Sequence, residues 1–202
     1  ASEDPLYEFR EANVYATERL ARQAAAAGVR RFVFVSSVKV NGEETLLGQP
    51  YKEVDAPSPQ DAYGLSKWEA EQQLSNVALE TGMEVVVVRP PLIYGPGVKA
   101  NFALLMRAVQ HGLPIPLGAI ENARSLIGLD NFVDFIYCCM THPAAVNQTF
   151  LVSDGRDVSS AQLVRELATA AGVKPNLWFV PQWALELGAG MVGKRNVVQR
   201  LC

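Results

Sequence analysis

RRFVFVSS, residues 30–37, is short, apolar at consecutive positions, and rich in aromatic and β-branched side chains. From Arg31 to Ser37 that composition predicts a strand buried on both faces, the kind found in parallel sheets. Upstream, Leu6, Phe9, Asn13, Ala16, Leu20 and Ala24 recur at helical spacing from Pro5 to Gly28, and the Ala24–Ala27 run is plain helix. Asp4 followed by Pro5 reads as the capped start of that helix, and Gly28 as its C-terminal cap. Downstream, a Gly- and Pro-bearing loop (38–60) leads into SPQDAYGLSKWEAE (58–71), a second helix that Ser58 or Asp61 can cap, with Pro59 tolerated in a first turn. MEVVVVRPP (83–91) then supplies another buried strand ending at Arg89. Helix, strand, helix, strand implies an α/β fold with right-handed crossovers, a parallel sheet and a ligand crevice beyond the carboxyl ends of its strands. Two residue pairs, Ser36-Ser37 and Pro90-Pro91, fall at such ends.

Beyond Gly97 the pattern loosens. A helix is expected from about Asn101 to Gln110, followed by the Pro-rich GLPIPLG, a helix after Asp130, the strand QTFLVS, and a helix capped by Ser159 with Gln162 three residues on. Residues 98–202 are therefore expected to form mainly a smaller lobe beside the sheet region of residues 1–97, with some segments returning to the sheet. The 202 residues are 49% hydrophobic and 19% charged with a net charge of −3, which describes a globular chain long enough for a sizeable core. No surface is basic enough for nucleic acid, and no apolar run approaches the roughly 20 residues of a membrane span. Cys138, Cys139 and Cys202 lack metal-ligand spacing, so no metal is expected, and their odd number suits a reducing cytoplasm better than secretion. His111 and His142 stand alone and read as structural or surface residues.

Tyr63 and Lys67 are the unusual residues of the second helix. With Ala70, Leu74 and Val77 they form one face, four residues separating phenol from ammonium. One reading has Lys67 snorkelling, its stem on apolar surface and its head in water. The other is electrostatic: a cation within about 4–6 Å, aided by the helix N-terminus, draws the Tyr63 phenol down from its ordinary pKa of about 10 and makes it a proton-transfer group.

A strand-end serine followed 26 residues later by Tyr-x-x-x-Lys narrows the choice. Together with NVYATERLARQAAAAGVRRFVFVSS, DAYGLSKWEAE, VVRPPLIYGPG and ARSLIGLDNFVDFI, in that order, it resembles the extended short-chain dehydrogenase/reductase family, in its nucleotide-sugar epimerase/dehydratase branch. The resemblance implies a partial Rossmann-like, doubly wound parallel sheet with a smaller C-terminal α/β substrate-binding lobe. It implies NAD as cofactor, with NADP the alternative, and a nucleotide-diphosphate sugar as substrate. Ser37, Tyr63 and Lys67 would be catalytic: Ser37 bonding the reacting sugar oxygen, Tyr63 exchanging the proton, Lys67 holding the nicotinamide ribose. Asn13, Ser36, Pro90 and Pro91 join Tyr63 and Lys67 at the cofactor, and Lys39, Asn101 and Arg124 fall at the substrate. Other readings stand beside these: Asn13 as a satisfied structural amide, Pro90-Pro91 as an ordinary turn, Asn101 as a helix cap, Arg124 as a surface residue. Gly64 would permit close approach of cofactor or of neighbouring backbone.

Three departures qualify the resemblance. SSVKVNG has Asn41 where the family usually has tyrosine before the glycine. Val38 and Lys39 occupy the places where the 4,6-dehydratases carry an acid pair, which argues against dehydration. No G-x-x-G-x-x-G loop occurs, so the pyrophosphate cradle and the acid that selects NAD would belong to strands preceding Ala1, and the chain is expected to be a truncated, inactive piece that self-associates, as a homodimer or otherwise. The intact protein is expected to be a 4-epimerase, with a 4-keto sugar reductase and a non-catalytic scaffold as rivals.

Overall fold

The computed structural model describes residues 4–46 and 48–191. In chain order these form α1 (Pro5–Phe9), a π-helical segment (Arg10–Tyr15), α2 (Ala16–Ala26), β1 (Arg31–Val35), a 3-10 turn (Val38–Val40), α3 (Ala62–Thr81), β2 (Glu84–Arg89), β3 (Leu92–Tyr94), α4 (Ala100–Gln110), β4 (Leu126–Gly128), α5 (Leu129–Thr141), a 3-10 turn (Pro143–Ala145), β5 (Thr149–Leu151), α6 (Ser160–Ala170) and α7 (Gln182–Met191). The chain divides into two compact units, one running up to Ile93 and resuming over Ile127–Ser153, the other comprising Tyr94–Leu126 and the chain from Asp154.

The first unit is built on a parallel sheet of order β1-β2-β5. Arg31 to Val35 pair in register with Glu84 to Val88, and Val87 to Arg89 with Thr149 to Leu151. Alternation along β2 sends Val85 and Val87 to one face, where they join Phe34, Ala70, Leu74 and Val77, and Val86 and Val88 to the other, where they join Ile127, Phe132 and Cys139. α2 and α3 thus cover one face and α5 the other, which makes the sheet doubly wound. The expectation of burial on both faces holds for β2 and only partly for β1. Phe34 is buried, but β1 is an edge strand among the described residues, and Val35 at its end is 39% exposed. Asp4 caps α1 by accepting from the Tyr7 amide. Asp61, not Ser58, caps α3, accepting from the Gly64 amide at 2.7 Å, and Gly82 ends that helix with a left-handed φ of 73°.

The second unit has its own core of Val109, Ile115, Leu117, Ile120, Val164 and Ala168, contributed by α4, α6 and the Pro-bearing segment between α4 and β4. Ser159 caps α6 by accepting from the Gln162 amide. α4 begins at Ala100 after Lys99, so Asn101 lies inside the first turn and does not cap it. His142 links α5 to the 3-10 turn after it, its Nδ1 accepting from the Ala144 amide. Cys138 is exposed, Cys139 is buried, and Cys202 lies outside the described residues.

Candidate active site

The site is assembled where β1 and β2 end. The parallel ladder continues past β1: the Ser36 amide donates to the Val88 carbonyl at 2.7 Å and the Val38 amide to the Pro90 carbonyl at 3.0 Å. Ser37 is bracketed between these two bonds. Its extended backbone (φ −156°, ψ 147°) makes it the N-cap of the 3-10 turn, and its half-buried hydroxyl accepts from the Lys39 amide at 3.3 Å. Pro90 is buried and Pro91 half-buried beside that ladder.

The first turns of α3 lie on the same strand end. Gly64 faces the Lys39 carbonyl so closely that a Cβ would stand 2.8 Å from its oxygen, so the neighbouring backbone accounts for this glycine. Half-buried Tyr63 meets Phe9 edge to face at 5.6 Å between ring centroids. Lys67 does not snorkel outward. Its Nζ donates to the Val35 carbonyl at 3.0 Å, 4.7 Å from the Phe34 ring centroid and 5.9 Å from that of Tyr63. Asn13, in the π-helical segment, donates from Nδ2 to the Ser66 hydroxyl at 3.0 Å, and Ser66 donates to the Tyr63 carbonyl at 2.8 Å. Its amide therefore steadies the turn that carries Tyr63.

Electrostatics here differ from the sequence expectation. Burial, reinforced by the Asp61 carboxylate, raises the Tyr63 pKa above the ordinary tyrosine value, while Lys39 works the other way. The expected depression by Lys67 is not found: that ammonium faces the strand end and the ring. Burial pulls Lys67 itself below the ordinary lysine value, opposed by Glu71. Lys39, expected at the substrate, is engaged within the protein, donating to Asp61 at 2.5 Å and Glu43 at 2.7 Å. Burial disfavours its charge, but these two carboxylates outweigh it and hold the pKa up. The hydroxyl of Ser36, expected at the cofactor, is instead buried and donates to Glu71 at 2.5 Å. In the second unit, the Arg124 backbone exchanges both hydrogen bonds with Val158, at 3.0 and 3.1 Å, and Asn101 is exposed.

Sequence reasoning passed over Glu71, Arg89 and the structural role of Asn41. Glu71 stands in SPQDAYGLSKWEAE as one more polar residue of the helix. The signal was available: Glu71 is four residues after Lys67 and so shares its face, and an arginine ending a buried strand needs an anion.

A phenol, an ammonium and a hydroxyl thus gather at the carboxyl ends of parallel strands, where open α/β sheets bind their ligands. Residues 1–153 match the NAD dependent epimerase/dehydratase family, and the chain belongs to that family. It is 54% identical over 200 residues to the UDP-glucose 4-epimerase of Vibrio cholerae, covering 98% of this chain and 61% of that protein. It is 28% identical over 193 residues to an Escherichia coli O157:H7 N-acetyl-α-D-glucosaminyl-diphospho-ditrans,octacis-undecaprenol 4-epimerase, covering 94% of this chain and 55% of that one. The solved UDP-glucose 4-epimerase of Thermotoga maritima with UDP-glucose shares its fold, with a TM-score of 0.75 at 24% identity over 88% of this chain and 59% of that chain. The chain thus spans little more than half the length of these relatives.

Proposed function

We propose that the full-length protein is an NAD-dependent nucleotide-sugar 4-epimerase acting on a UDP-hexose. The observation that carries this reading is the 54% identity with the Vibrio cholerae UDP-glucose 4-epimerase across nearly the whole chain. The site geometry supports it, because Ser37, Tyr63 and Lys67 supply the three groups that C4 chemistry needs. NAD fits the donor set in part: the Lys67 ammonium and the Tyr63 phenol suit its nicotinamide ribose, whereas this sequence holds no G-x-x-G-x-x-G loop for the pyrophosphate.

NAD, when bound, supplies the hydride acceptor and donor. Ser37 hydrogen-bonds the C4 oxygen and orients it. Tyr63 would accept the C4 hydroxyl proton in the oxidising half of the cycle, which would leave a 4-keto sugar. In the returning half Tyr63 would give the proton back to the C4 oxygen of the turned sugar, so that no net redox change would result. A raised Tyr63 pKa suits the proton-donating half of this cycle, and Lys39 is the cation that favours the other half. Asn13 holds the Tyr63 turn, Pro90 and Pro91 line the nicotinamide side, and Asn101 and Arg124 contact the nucleotide diphosphate. A guanidinium offers that diphosphate paired hydrogen bonds.

Tyr63→Phe tests the assignment. Turnover of UDP-glucose by the full-length protein with catalytic NAD and no reductant should fall by at least about a hundredfold, with nucleotide-sugar affinity little changed. Near-normal turnover in the variant would refute the role of Tyr63. Stoichiometric consumption of reduced nicotinamide by the wild type would favour a 4-keto sugar reductase instead.

A further inference from the structure

Beneath the candidate site lies a buried polar cluster that the chemistry above does not use. Arg89 donates from Nε to Glu71 Oε1 at 3.0 Å and from Nη2 to Oε2 at 2.6 Å. Ser36 donates to the same Oε1 at 2.5 Å. Arg89 Nη1 also donates to Asn41 Oδ1 at 3.1 Å, and Asn41 Nδ2 to the Lys52 carbonyl at 3.2 Å. The ion-pair side chains are only 4% and 5% exposed. Such a pair gives little net stability, because desolvation offsets its attraction, so stability alone is a poor reason for it. What it does is fix geometry: one carboxylate on α3 joins the end of β1 to the end of β2, and Arg89 carries the link on through Asn41 to the loop after the 3-10 turn.

We propose that Glu71 is a positioning residue for the reaction, holding the Ser37 segment through Ser36 and Arg89 and serving as the counter-charge of Lys67. This rests on the roles given above to Ser37, Tyr63 and Lys67. The first branch follows from adjacency: with the Ser36 side chain bound to Glu71 and its amide bound to Val88, the backbone leading into Ser37 has little freedom. The second follows from helical spacing, since Lys67 and Glu71 are one turn apart. Lys67 meets the Tyr63 ring from α3, and the Phe34 ring and Val35 carbonyl from β1, while Glu71 one turn along α3 acts on it through space. β2 contributes Arg89, whose charge Glu71 holds, and Glu69 on α3 is engaged by Arg10. Burial disfavours the ammonium and Glu71 is the carboxylate that opposes it. Removing that charge takes away the attraction that opposes burial, so the pKa of Lys67 falls.

The test uses Glu71→Gln and Ser36→Ala in the full-length protein, with UDP-glucose as substrate and saturating NAD. Glu71→Gln should lower kcat by about ten- to a hundredfold, the scale of a misplaced reacting group, with KM little changed. It should also move the alkaline fall of kcat to lower pH, because Lys67 then loses its proton earlier. Ser36→Ala keeps the carboxylate, so it should lower kcat and leave the alkaline fall where it is. A purely structural cluster would lower the melting temperature in both variants and move neither rate nor pH limb of the folded fraction. An unshifted alkaline limb in folded Glu71→Gln overturns the counter-charge role. Should that variant not fold, Ser36→Ala at wild-type kcat overturns the positioning role. Turnover surviving Tyr63→Phe refutes the proposed chemistry itself, so the two failures are separable.

Discussion

At Gly64 a hydrogen stands where any other residue would put a Cβ 2.8 Å from a backbone carbonyl oxygen and 3.3 Å from the Asp61 carboxylate. Gly64→Ala brings two opposed effects. Alanine in a helix is favoured by up to about 1 kcal/mol, while overpacking against backbone that cannot swing aside costs about 1–3 kcal/mol. The overlap wins, because relieving it means moving α3 away from the Lys39 segment. The melting temperature should drop by a few degrees, at roughly 2–4 °C per kcal/mol for a chain of this size, and kcat should fall with it as Tyr63 shifts. An alanine variant as stable and active as the wild type would show that the helix relaxes freely. Residues such as Tyr63, Lys67 and Ser37 could be picked out from sequence because their chemistry is odd for their place. Glu71 could not be picked out that way: a glutamate in a helix is ordinary until its partner on another strand is known.

The elements around the site divide the same way. β2 and α3 were legible because consecutive valines and the Ala70, Leu74, Val77 spacing are local patterns, and burial of all seven follows in the fold. β1 was only half legible, since edge position depends on which strands neighbour it. The start of α3 shows a local choice decided by tertiary contact: Ser58 and Asp61 both can cap, and Asp61 does so while also receiving the Lys39 ammonium. Asp61→Ala should therefore cost about 0.5–2 kcal/mol from the lost cap alone, and more with the stranded Lys39, read by chemical denaturation at pH 7. The ion pair has a definite pH signature. The Lys39 pKa is raised in the folded chain, so its contribution is fully present below the ordinary lysine value of 10.5 and fades as pH rises through the folded value. Lys39→Met should accordingly be destabilising at pH 7, with the gap from wild type closing as pH rises through the folded value of Lys39. A gap that closed on acidification alone would assign the stability to the carboxylates.

For the molecule as a whole, the catalytic set and the phosphate cradle are different parts of a dinucleotide site, and this 202-residue sequence contains the proposed catalytic set without a G-x-x-G-x-x-G loop for the cradle. Most dinucleotide affinity in such folds comes from oriented amides at the pyrophosphate and from the adenosine half. Tyr63 and Lys67 alone offer only ribose and nicotinamide contacts, so the 202-residue chain expressed by itself should bind NAD with no better than about millimolar affinity. Its sheet adds a second expectation. β1 is an unpaired edge among the described residues, carries Phe32 and Val33 only half-buried, and ends at the exposed Val35. An open parallel edge of this apolar kind invites pairing with another chain, since its amides and carbonyls are a template and its side chains gain burial. Light scattering on the purified chain should therefore report dimers or larger species whose population rises with concentration. Placing a lysine at Val35 should push that equilibrium toward monomer, because an edge charge opposes strand pairing. Calorimetry on the same sample completes the test. Micromolar NAD binding by a stable monomer would mean that this chain builds a complete cofactor site from its own residues, and both the weak-affinity and the open-edge arguments would then be wrong.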